Sequence, residues 1–223
     1  MDIYRVSVII HVTLTMVAFL TGIIAMIAQP KGSKLHRKSG ILYFISFLSA
    51  CALALFMLFL KYRALLLGIT FFNIYLCVMG YKAVRYKEGS AALSDLLLMG
   101  LLAFGIIILF KDGIRVYNGW LGTDFGWVVV RFFYILLIGY ILFSDMRYFL
   151  KKNKSKAGWL TRHMEMMLIS FIALISGILQ RTVGAMDYFS TGEIKWIFWI
   201  GGYVLCLPLV FYWISKYKPR ISK

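Results

Sequence analysis

The sequence is short of acid. Nine Asp and Glu stand against 25 Lys and Arg, and charged residues of either sign make up only 15% of its 223 positions. A soluble domain of this length needs a wider polar surface to cover its core, which argues against a water-soluble fold. Cysteine is scarce too. Cys51, Cys77 and Cys206 all sit in apolar runs without CxxC spacing. An odd number cannot fully pair, so a disulfide scaffold is excluded and the thiols read as small apolar packing groups. No Walker motif and no GxSxG nucleophile elbow occurs.

What is present in quantity is apolar. Hydrophobic residues account for 61% of the chain, aromatics for 17%, and mean hydropathy is +0.82. Apolar runs near 20 residues read as membrane helices, because backbone groups in hydrocarbon must be satisfied within the segment. Seven such runs are predicted, at about 6–29, 40–60, 64–82, 93–110, 126–145, 163–184 and 196–214. The expectation is an all-α, polytopic seven-helix bundle forming a single transmembrane domain over 1–223. A formal net charge of +16 would point a soluble protein towards nucleic acid. Here the basic residues lie mostly between apolar runs and in no recognisable reader module. The expected partner is therefore the lipid bilayer, with no nucleic acid.

The charges also orient the spans. Lys31, Lys34, Arg37 and Lys38 follow the first run, Lys82, Arg85 and Lys87 follow the third, and Arg147, Lys151, Lys152, Lys154, Lys156 and Arg162 lie between the fifth and sixth. The tail adds Lys216, Lys218, Arg220 and Lys223. The opposite side carries fewer cations and adds Asp112, Asp124, Asp187 and Glu193. The positive-inside rule then expects the N-terminus outside and the C-terminus cytoplasmic. A cleaved signal peptide ending at Ala25 or Ala28 is the rival reading, but its apolar region would be too long and is interrupted by His11.

Ionisable groups at membrane depth are costly and mark candidate sites. His36 and His163 fall at the cytoplasmic starts of the second and sixth helices. Two imidazoles at one depth are candidate ligands for a haem iron or another metal. Asp95 and Asp145 fall near the same level, so a mixed His/carboxylate metal site is a second expectation. Towards the outer side, His11, Arg131 and Arg181 have similar depth, and there they are candidates for an anion- or lipid-like ligand pocket capped by Tyr117 and Trp120. Other families fail on particular residues. A retinal protein needs a lysine inside its last helix, where this chain has none before Lys216. The seven-helix zinc hydrolases need an HxxxH, and the three histidines here are all far apart.

His11 with the Gly22/Ala25 stretch, KGSKLHRKSGILYF at 31–44 and HMEMMLISFIALISG at 163–177 together resemble a family of bacterial membrane proteins known as domain of unknown function 2306. The resemblance covers most of the chain and implies a bacterial cytoplasmic (inner) membrane location, with no assigned reaction. The embedded histidines look, more loosely, like those of the two-haem cytochrome b superfamily, which holds each haem between histidines on two helices. Three histidines supply at most one such haem, at His36 and His163, with His11 left for another purpose. The expectations for function are thus a haem-b-binding redox protein or subunit, a carrier, sensor or binding protein for a small anionic or lipid-like ligand, or an accessory subunit packed against membrane-protein partners.

Overall fold

The computed structural model describes residues 2–86, 92–119, 125–150, 158–184 and 196–217, without the side chains of 183, 184, 209, 216 and 217. Trp120 and the basic run 151–156 lie outside the described residues. Seven helices follow in order: α1 (Ile3–Ile27), α2 (Lys34–Leu60), α3 (Ala64–Arg85), α4 (Leu93–Tyr117), α5 (Phe125–Leu150), α6 (Gly158–Gly184) and α7 (Ile197–Tyr217). Each contains a segment long and apolar enough to cross a membrane, and no strand occurs among the described residues.

Most of the helices outrun the apolar segments that announced them. Charged residues end a hydrophobic run without ending a hydrogen-bond ladder, so α2 begins at Lys34 and takes in Arg37 and Lys38. Its start is set by Ser33, whose side chain accepts from the His36 backbone N–H at 3.3 Å, a usual role for serine ahead of a helix. α6 likewise begins at Gly158, which puts His163 more than a turn inside the helix instead of at its start. α4 gains an anchor of the same kind, because the Asp95 carboxylate accepts from the backbone N–H of Ala92 at 2.9 Å.

The packing has two halves that share one wall. α1, α2, α3 and α6 close a ring in which α1 touches α2 and α6, and α3 touches α2 and α6. α3, α4, α5, α7 and α6 close a second ring. Across the first, α2 and α6 stand diagonally, with no close backbone approach. Its interior is filled by Ala18, Tyr43, Phe47, Cys51, Cys77, Phe171 and Leu174. The second is filled around Tyr134, whose ring meets Phe72, Phe133, Trp199 and Tyr203 at centroid distances from 5.6 to 6.5 Å. These edge-to-face contacts suit ring quadrupoles and are worth about 0.5–1.5 kcal/mol each.

The outward faces are apolar. Phe59 is 88% exposed, Leu136 73% and Leu205 76%, a surface that suits lipid and would aggregate in water. With seven spanning helices, this is the build of an integral membrane protein.

Contact ends fix which helix termini share a level. Lys61 lies over the Tyr4 ring at 4.4 Å, joining the start of α1 to the end of α2. Arg131 binds Asp112, joining the end of α4 to the start of α5. At the other end, Lys82 pairs with Asp95 and Arg162 with Asp145. The second level also contains His36 and His163 and is called the histidine end below.

At Gly22 α1 packs closely against α6 and α2. A Cβ there would stand 2.5 Å from the Phe171 ring and 3.1 Å from Tyr43. Gly22→Val is expected to cost about 1–3 kcal/mol by overpacking. Gly100→Ala, where a Cβ meets nothing within 4 Å, is expected to cost nothing. Thermal unfolding of both variants in detergent checks the contrast, and equal melting temperatures would refute this packing.

Candidate functional site at the histidine end

Each histidine is pinned to a neighbouring helix in the same way. His11 Nδ1 lies 2.9 Å from the Ala50 carbonyl, His36 Nδ1 2.9 Å from the Ala25 carbonyl and His163 Nδ1 2.9 Å from the Gly80 carbonyl. A carbonyl only accepts, so in every case Nδ1 carries the proton and donates it. In the neutral ring Nε2 then holds a lone pair. Among the described residues, no group is seen to hydrogen-bond any of the three Nε2 atoms. A histidine anchored through Nδ1–H with Nε2 open has the arrangement found in metal-ligating imidazoles.

The acceptors are placed by the fold. Ala25 lies in the last turn of α1, where carbonyls run out of helical partners. His36 covers Ala25 and the Lys31 ammonium covers Met26 beside it. Gly80 presents its carbonyl to α6 because it lacks a side chain. A Cβ there would lie 2.7 Å from the Met167 sulfur.

His36 on α2 and His163 on α6 lie at one level of the first ring, on its two diagonal helices. Seven residues further along each helix, the Tyr43 hydroxyl and the Ser170 hydroxyl share a hydrogen bond of 2.7 Å. Both α2 and α6 start at the histidine end, so they run parallel with matched register. His36 stands opposite His163, and two turns deeper Tyr43 stands opposite Ser170. Below that bond, Phe47 and Phe171 close the interior, 3% and 6% exposed.

The carboxylates are committed elsewhere. Asp95 and Asp145, expected as metal ligands, do not join the histidines, and the described residues contain no group of three or more His, Cys, Asp or Glu able to hold a metal ion. Asp95 pairs with Lys82 and caps Ala92. Asp145, 1% exposed, accepts from the Tyr75 hydroxyl and, at 2.9 Å, from Arg162. The physical reason is the cost of a bare carboxylate at membrane depth, which draws each acid to the nearest cation.

Arg162 is the residue the sequence reading passed over, counted merely as part of a basic connection. Arg162 is 6% exposed, and its guanidinium lies 4.7 Å from the Tyr148 ring centroid and 4.4 Å from that of Phe149. The available signal was Asp145 itself, since a buried acid demands a cation.

The trio expected at the other end does not assemble. Arg131 is buried and spent on Asp112 at 2.6 Å and on the Trp127 carbonyl at 2.8 Å. Arg181 is exposed. His11 lies on α1, which does not touch α5. Arg131 is thus held in an internal ion pair. The open cavity of about 630 Å³ at that end is lined by apolar side chains of α4 and α5, among them Ile114, Phe132 and Leu136.

Removing one member of the buried pair strands the other. Asp145→Leu is expected to cost about 3–5 kcal/mol by leaving Arg162 uncompensated, and Asp145→Leu with Arg162→Met distinctly less. Thermal unfolding of the single and double variants measures the difference, and additive losses would show that the two charges do not depend on each other.

No family model, curated protein or solved structure matches the chain in comparisons with known proteins.

Proposed function

We propose that this chain is a haem-b-binding redox protein, or such a subunit, of a bacterial inner membrane, in which His36 and His163 would hold the haem iron. One observation carries the reading: two imidazoles on parallel helices in matched register, each anchored through Nδ1 with Nε2 uncommitted. The donor set would fit the group, since neutral imidazole nitrogen is a donor that haem iron accepts. Gly40, one turn after His36, adds room, because a Cβ there would meet nothing within 4 Å.

When bound, haem b supplies one-electron transfer. The chain's own residues do the rest. The Ala25 and Gly80 carbonyls hold both rings in the Nδ1–H form and set their planes. The Tyr43–Ser170 bond sets the separation of α2 and α6. Phe47 and Phe171 fill the bundle interior beneath that bond and exclude water from it. The resemblance noted from the sequence supports the same reading, and His11, pinned to Ala50, belongs to neither ligand position. In this reading the histidine end is cytoplasmic and the N-terminus is outside, as the positive-inside bias implies.

Protein expressed with haem supplied and purified in detergent is expected to show a Soret band. His36→Ala and His163→Ala should each abolish it and His11→Ala should retain it. A purified, folded protein without Soret absorption overturns the proposal.

Orientation has its own check. In a cysteine-free background, Asn118→Cys is expected to react with an impermeant maleimide on intact cells, and Lys38→Cys only after permeabilisation. The reverse pattern would invert the topology.

A further inference from the structure

The first turns of α2 have a second face. At 100° per residue, His36, Ser39, Tyr43 and Phe47 point into the bundle, while Lys34, Lys38, Ile41 and Ile45 form a stripe on the other side. Burial agrees: Ser39, Tyr43 and Phe47 are buried, and the four stripe residues are exposed, Ile41 by 49% and Ile45 by 53%. Arg37, also exposed, flanks the stripe.

These cations differ from those inside the bundle. Lys82, Arg131 and Arg162 each have an aspartate. Lys34, Arg37 and Lys38 have none within their own stretch of chain, which contains no acidic residue between Asp2 and Glu88. Among the described residues no ion pair reaches them. Lys34 and Lys38, on the side of α2 opposite His36, point away from anything held between the two histidines. Below them the stripe becomes apolar: a basic pair one turn apart, then isoleucines one and two turns deeper. Cations over a lipid-facing apolar track match an anionic headgroup over an acyl chain.

We propose that this face of α2 holds an anionic phospholipid, its phosphate between Lys34 and Lys38 with Arg37 alongside, and one acyl chain along Ile41 and Ile45. The site is independent of any cofactor. The occupant is a lipid and not a soluble phosphate, because half of the contact is apolar.

The test is native mass spectrometry of the detergent-purified chain titrated with phosphatidylglycerol or phosphatidylcholine at low ionic strength. Phosphatidylglycerol is expected to bind and phosphatidylcholine to bind far more weakly. The triple variant Lys34→Gln, Arg37→Gln, Lys38→Gln should weaken phosphatidylglycerol binding about 100-fold, from roughly fivefold per cation. Lys61→Gln with Arg63→Gln, at the opposite end, should leave it unchanged. His36→Ala should bind the lipid as the parent does, which separates this site from the histidine pair. Equal binding of the two lipids, displacement by inorganic phosphate at matched concentration, or an unaltered triple variant would each overturn the proposal.

Discussion

Hydrocarbon offers no water to a polar side chain, so every polar group carried into it has to be answered by another part of the same chain. A charge at the centre of a membrane helix costs about 2.5–3.5 kcal/mol, whereas a typical hydrogen bond between such helices returns only about 0.6 kcal/mol. Such contacts therefore contribute little net stability and a great deal of geometry. Packing of the two apolar clusters supplies the cohesion. The polar contacts decide which helix lies beside which, and at what rotation.

α6 shows how far that goes. Arg162 and His163 are adjacent in sequence and about 100° apart around the helix. One reaches Asp145 on α5 and the other reaches the Gly80 carbonyl on α3. Two neighbouring residues thus fix the rotation of α6 against two different helices. Once that rotation is set, Ser170 faces Tyr43, and α2 is held with His36 opposite His163. The candidate site is the far end of this chain of constraints. α3 and α6, the wall common to both rings, belong at the centre of it, because both sets of contacts run through them.

The first hairpin obeys the same rule with less charge. His11 bonds to a carbonyl of α2, and His36 bonds to a carbonyl of α1. The two helices hold each other at two depths by reciprocal contacts. Gly22 lets the pair settle against Phe171, which connects the hairpin to α6. On the side turned to lipid, α2 has no such obligations, and there its lysines stay exposed.

Depth in the bilayer was legible in the amino-acid order, because it depends only on distance along a helix from a charged end. That reading placed seven spans, put His36 and His163 at one level and set Asp95 and Asp145 near it. Neighbours were not legible in this way. Asp112 and Arg131 lie nineteen residues apart and meet only because α4 and α5 pack antiparallel. His11, Arg131 and Arg181 share a depth yet sit on helices that do not bring them together. The carbonyls of Ala25, Ala50 and Gly80 carry no sequence signal at all, since every residue has one. Composition and spacing thus determined how many helices the chain forms and how deep each polar group lies. The rotation of each helix and the identity of each partner were decided by tertiary packing, because only there do unpaired polar groups compete for the few partners within reach.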